Sequence, residues 1–246
     1  MVEDRDPIGH IDLGRPGASA RAEFERHLRQ DAERRRRRFG RFLAPLVAVL
    51  AGVRPSTARC RVGGEAEERV GRLLSQGVGD GGLVLHGRRV PRSRANIDHI
   101  AVVPSGVWVI DTKRYRGRVR PGRPPGRFLG GRTLVVNGHD RGTLLAAARH
   151  QGALVEAVVG PGVAVHAVLC FADGEWGCVA RPARIGGVMV TWPKALVRVL
   201  AGPGPLEPDQ RVALATRIAR AFPPCTAARH DDLPDGVRVR GPHRQA

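Results

Sequence analysis

The sequence predicts an α/β fold, a mixed central sheet with flanking helices, preceded by a basic helix at the N-terminus. Three observations lead there. Between residues 59 and 200, segments of helical and of strand character follow the order helix, three strands, helix, strand. Pro104-Ser105-Gly106 lies between two of the strands and is too short a link for anything but antiparallel pairing. Residues 163–171 are almost continuously apolar, as a strand buried on both faces at the centre of a sheet must be.

Taken in order, residues 1–58 form a basic leader. A helix is predicted over 19–43 and includes five consecutive arginines, Arg34 to Arg38. The apolar run 42–53 follows, broken by Pro45 and too short to span a bilayer. Three roles fit this leader: an arm that contacts nucleic acid, an interfacial membrane anchor, or a helix packed on the main domain. The first residues carry Glu3, Asp4 and Asp6 and no apolar run, unlike a signal peptide. The core, residues 59–200, opens with a helix over 64–76 whose stripe is Ala66, Val70, Leu73 and Leu74. Strands are expected over 83–90, 97–103, 107–113 and 132–137, the last ended by Asn137-Gly138. A helix over 143–159 precedes the central strand, and 188–191 reads as a further strand. The segment 193–200 is a helix begun by a proline. Residues 201–246 hold a proline-rich break, a helix over 209–222 and a polar tail.

Composition narrows the function. The 246 residues carry 42% hydrophobic side chains, enough for a buried core. A formal charge of +18 favours polyanionic partners, nucleic acid first and an anionic membrane surface second. Cys60, Cys170, Cys178 and Cys225 show no C-x-x-C spacing, so zinc is not indicated. They read as reduced thiols in a cytoplasmic protein, although Cys170 and Cys178 flank a turn and could approach each other.

The chemistry concentrates in two strands. Alternation along a strand places Asp111 and Lys113 on one face, roughly 7 Å apart at about 3.3 Å per residue. A hairpin folded at Ser105 sets positions near 98 opposite positions near 112, so Asp98 reaches Asp111. Two carboxylates at a sheet end repel unless a cation lies between them, and oxygen ligands favour Mg²⁺ or Mn²⁺. Such an ion would neutralise a phosphate oxygen and acidify a bound water. Lys113 could orient or deprotonate that water, or stabilise the charge that develops on phosphorus. Only Lys113 and Lys194 are lysines among 41 basic residues, in a chain that otherwise uses arginine. A surface ion pair would accept either residue; a compact amine at a reaction centre would not. Of Glu65, Glu67 and Glu68, Glu67 lies nearest the apolar stripe of its helix and is the acid able to lean into the site. Gln151 sits in the apolar stripe of the later helix, either as a satisfied structural amide or aimed at phosphate or water. His99 faces away from Asp98 and reads as structural.

At these residues the chain resembles the NERD family, the nuclease-related domains of the PD-(D/E)XK nuclease-like group. The matching stretches are Gly63-Gly64-Glu65-Ala66-Glu67 with Val70 and Leu73-Leu74, Ala95-Asn96-Ile97-Asp98-His99-Ile100, and Pro104 to Lys113 with Gly117. Asn137-Gly138 and Gln151 fit the later part, and the likeness spans residues 59–172. The resemblance implies an α-β-β-β-α-β, restriction-endonuclease-like core and a Mg²⁺-type hydrolase of DNA. It implies that Glu67, Asp98, Asp111 and Lys113 are the active-site acids and base, the three acids binding metal, with Gln151 as the helix glutamine.

Beside the site, Arg114, Tyr115, Arg116, Arg118, Arg120 and Arg123 could grip backbone phosphates, and Arg88, Arg89, Arg92 and Arg94 could extend the rim. Two other functions stay open: a nucleic-acid-binding module without catalysis, and a membrane-associated scaffold held by the leader. No oligomeric signal is evident.

Overall fold

In the computed structural model the residues described are 11–23, 25–26, 29–30, 33–34, 37, 55–93, 95–123, 132–176 and 181–225. The apolar run 42–53, Arg94, Cys178 and the polar tail lie outside them.

Helix α1 opens at Ala18, is helical through 18–23, and every described residue on to 37 is helical. Helix α2 (Pro55–Val78) leads into β1 (Leu83–Arg89), β2 (Asn96–Val103) and β3 (Gly106–Lys113). Then come β4 (Gly117–Gly122), β5 (Thr133–Val136), β6 (His139–Asp140), α3 (Gly142–Val159) and β7 (Val165–Phe171). The described chain ends with β8 (Gly174–Glu175), β9 (Ala183–Ile185), β10 (Val188–Thr191), α4 (Pro193–Leu200) and α5 (Pro208–Ala221). The series α2-β1-β2-β3-α3-β7 is the expected α-β-β-β-α-β order.

The main sheet runs β1-β2-β3-β7-β10-β9. β3 and β10 flank β7 in parallel, while β1-β2, β2-β3 and β9-β10 are antiparallel, so the sheet is mixed. Central β7 is fully buried over its second half. One face packs on α2 and α4 through Val70, Leu74, Leu196 and Leu200. The other packs on α3 and α5 through Val155, Val159, Leu214, Ala215 and Ile218, so α5 shares the core of the segment before it. A second sheet, β6-β5-β4-β8, packs Val119, Leu134 and Val136 into a cluster with Leu145 and Ala148 of α3 and Leu169 and Phe171 of β7. Its β5-β6 hairpin turns at Asn137 and Gly138, both at positive φ (50° and 80°), the geometry that makes Asn-Gly a hairpin turn.

Three sequence expectations change here. Leu73 is not in the stripe of α2 but is 36% exposed. The buried face is Ala66, Glu67, Val70, Gly71, Leu74 and Val78, rotated toward Glu67. Arg88 is not on a phosphate-binding rim: it is fully buried. Its guanidinium donates to the carbonyls of Asp12 and Phe222, tying both flanks of the core to β1. In α3 the expected stripe of Leu144, Ala148, Gln151, Val155 and Val158 is half right: Ala148 and Val155 are buried, but Leu145 and Val159 take the places of Leu144 and Val158, and Gln151 moves to the half-buried flank.

Candidate active site

The β2-β3 hairpin pairs His99 with Ile110 and Val103 with Gly106, a register that sets Asp98 opposite Asp111. Both point to the α3 side, as Ile100, Val102, Val107 and Val109 do further along the same strands. Asp111 is buried, Asp98 is half-buried, and Lys113 Nζ donates to Asp111 Oδ1 over 2.6 Å. Asp98 Oδ2 accepts the Thr112 amide at 2.8 Å, so one carboxylate is locked to the neighbouring strand's backbone.

Glu67 comes from the other side of the sheet. The rotation of α2 buries it to 3% exposure, while Glu65 pairs with Arg114 and Glu68 with Arg21 and Arg72 at the surface. Periodicity favours Glu67 of the three glutamates, and it is the one that is buried. Both Glu67 oxygens are held by α1: Oε1 accepts the Ser19 hydroxyl at 2.5 Å and Oε2 accepts the Ala20 amide at 3.1 Å. The same hydroxyl lies 3.2 Å from Asp98 Oδ1. Asn96 Nδ2 donates to the Ser19 carbonyl at 3.4 Å, and Gln151 Nε2 to the Asn96 carbonyl at 3.3 Å. These residues line one cavity of about 320 Å³, together with Glu23, Arg26, Thr112 and Ala147.

The electrostatics follow from burial. Desolvation, then the Asp98 charge, pushes Glu67 up to about 8. Burial raises Asp111 to about 6 against the pull of Lys113, and burial also raises Asp98. Burial works to lower Lys113, but Asp111 and Asp98 outweigh it and hold the amine above its ordinary value. Lys113 is therefore a cation, Glu67 keeps its proton at neutral pH, and burial makes Asp98 and Asp111 costly to ionise.

The fit of a hard cation can be judged from the donor set. Beyond the carboxylates, Asn96 Oδ1 and Gln151 Oε1 are buried without a partner and belong to residues lining the cavity. An all-oxygen environment of high negative charge suits Mg²⁺ or Mn²⁺. Among the described residues no three His, Cys, Asp or Glu side chains converge as a metal-binding group. Both oxygens of Glu67 are taken up by Ser19 and Ala20 of α1.

Residues 62–172 match the family described as nuclease-related domain, NERD. The central segment is a NERD match. Searches of curated proteins and of solved structures returned no match. The NERD segment takes in Glu67, Asp98, Asp111, Lys113 and Gln151, and leaves α1 outside.

The basic flank is divided by the structure. Arg114 is held by Asp173 at 2.7 Å, with Glu65 at 3.6 Å, and Arg69 shares Asp173. Tyr115 packs on Phe171 and lies under the Arg141 guanidinium, 5.3 Å from its ring centre. Arg116, Arg118 and Arg120 are exposed on one face at β4, with Val119 turned inward. His99 sits on the opposite face from Asp98, its Nδ1 2.9 Å from His86 Nδ1. Cys170 and Cys225 are free and buried. No described helix is long and apolar enough to cross a membrane.

Sequence reasoning does not find Ser19 or Ala20. Ser19 is legible only as a helix start, and nothing in its spacing links it to residues 48 and 79 positions away. Asn96 enters only as part of a motif.

Proposed function

We propose that this chain is a metal-dependent nuclease that hydrolyses phosphodiester bonds of DNA. The observation that carries the reading is the buried Asp98-Asp111-Lys113 group, set by one hairpin at the end of a sheet and lining a cavity with two unpartnered amide oxygens. Asp98 and Asp111 would hold Mg²⁺ or Mn²⁺, with Glu67 beside Asp98. The ion, when bound, would supply Lewis-acid stabilisation of a phosphate oxygen and a more acidic water.

The chain's own residues do the rest. Lys113 is held protonated by Asp111 and Asp98, so it acts as a fixed cation beside charge growing on the phosphoryl oxygens, not as the base. The amide of Gln151 is anchored through Nε2, which leaves Oε1 as an acceptor able to orient the attacking water. Thr112 N–H fixes the Asp98 carboxylate so that it needs little rearrangement. Arg118 and Arg120 lie on β4, with Arg116 just before it, and these three offer exposed guanidiniums to backbone phosphates. Arg114, already paired with Asp173, serves to fix the Lys113 end of β3 against the β7-β8 turn.

The test is conversion of supercoiled plasmid to nicked and linear forms with Mg²⁺ or Mn²⁺. The wild type should cleave, and Asp111→Asn and Lys113→Ala should each lose at least about a hundredfold in rate. Equal cleavage by all three would place the chemistry elsewhere. DNA binding without cleavage under either ion would make the chain a binding module of the same fold.

A further inference from the structure

We propose that Ser19, in the leader outside the NERD match, is a positioning residue of the metal site, its hydroxyl joining Glu67 to Asp98. This inference rests on the reading of Asp98 and Asp111 as metal ligands.

The contacts converge on one atom. Ser19 Oγ lies 2.5 Å from Glu67 Oε1 and 3.2 Å from Asp98 Oδ1, and Ser19 itself is 3% exposed. The adjoining Ala20 amide takes the other Glu67 oxygen, so the carboxylate is seated on the first turn of α1, where helix N–H groups favour an anion. Asn96 grips the same turn through the Ser19 carbonyl.

The turn is placed by close packing rather than by a flexible tether. A Cβ on Gly64 would lie 3.2 Å from Ala20 Cβ, and one on Gly87 would lie 2.7 Å from Ala18 Cβ. Gly17 sits at φ +81°, with any Cβ there 3.2 Å from Glu68 Cβ. Small residues on both sides let α1 approach α2 and β1 closely enough for a serine to reach between two acids. Arg21 and Glu68 pair at the outer edge of this contact, 3.2 Å apart.

The consequence is chemical. Asp98 is oriented on one oxygen by the Thr112 amide and on the other by Ser19. Groups that hydrogen-bond a metal-ligating carboxylate set its direction, and removing them typically lowers metal affinity ten- to a hundredfold. The leader thereby adds contacts from outside the NERD segment to both oxygens of Glu67 and to Oδ1 of Asp98.

Mn²⁺ titration of the full-length protein, followed by the loss of the free-ion electron paramagnetic resonance signal, tests this. Wild type, Ser19→Ala, Ser19→Thr and Asp111→Asn would be compared, with thermal midpoints measured on the metal-free proteins. Ser19→Ala should weaken Mn²⁺ binding by about tenfold or more, and Ser19→Thr, which keeps the hydroxyl, should restore most of it. An unchanged affinity in Ser19→Ala, beside a loss in Asp111→Asn, would overturn the role of Ser19 and leave the metal site standing. Tighter binding in Ser19→Ala would make α1 a plug and equally overturn it. A loss that Ser19→Thr fails to restore, tracking a lowered midpoint, would reduce Ser19 to packing. Absence of Mn²⁺ binding by the wild type would remove both the proposal and the reading beneath it.

Discussion

At Glu67 the energetics and the site's purpose oppose each other. A carboxylate that ordinarily titrates near 4.5 is pushed to about 8 by burial and by Asp98. The sign follows directly. Between pH 4.5 and 8 the folded protein holds a proton that the unfolded chain has lost, so stability falls as pH rises through this window and is flat above it. Glu67→Gln removes that dependence while keeping an amide oxygen that can accept from Ala20 N–H. The metal-free variant should match the wild type's unfolding free energy near pH 5 and exceed it at pH 9, by on the order of a few kcal/mol, measured by urea unfolding at each pH. Identical pH profiles for the two proteins would show that Glu67 titrates normally. That the buried glutamate can be picked from the helical wheel reflects how narrow the buried face of α2 is. That its partners cannot be picked reflects long-range packing: a serine far back in the chain carries no periodic signature of the pocket it enters.

Elements carry the site because each seats more than one function. α2 delivers Glu67 and, one turn later, Gly71, which lies over the His86-His99 pair. A Cβ at Gly71 would stand 2.7 Å from Pro16 Cβ, 2.9 Å from His99 Cε1 and 3.2 Å from His86 Nδ1. In an exposed helix Gly→Ala gains about 1 kcal/mol from propensity. At this position the packing outweighs it, and Gly71→Ala should lower stability by roughly 1–3 kcal/mol in urea unfolding. A stabilised variant would mean that α2 shifts freely over the histidines. The hairpin and the α3 helix are legible as elements, because apolar runs and Pro-Ser-Gly and Asn-Gly turns leave local marks. β4 is not: Gly117–Gly122 reads GRVRPG, with Val119 its one large apolar residue, and only pairing with β5 and β8 makes it a strand. The one-position error in the stripe of α3 has the same origin, since Leu144 and Leu145 are equivalent to any periodicity and the sheet beneath decides which is buried.

On the scale of the molecule, charge is the dominant feature, and its arrangement matters more than its total. Net charge of +18 draws any polyanion, yet two of the arginines expected at the rim are committed within the protein: Arg88 to two backbone carbonyls and Arg114 to Asp173. Arg118 and Arg120 remain exposed on β4, close along the chain to Lys113. If they neutralise backbone phosphates, removing either guanidinium should flatten the dependence of log K on log salt by about 0.9 for duplex DNA. The double variant Arg118→Gln/Arg120→Gln should therefore reduce that slope by about 1.8, measured by fluorescence anisotropy with a short duplex and no divalent ion. Arg184→Gln/Arg220→Gln removes the same formal charge from β9 and α5, where both side chains are also exposed. That control should weaken binding slightly at low salt and leave the slope near wild type. Equal flattening in both double variants would mean that the duplex responds to overall charge alone, and the face at β4 would then have no special part in holding DNA over Asp98 and Asp111.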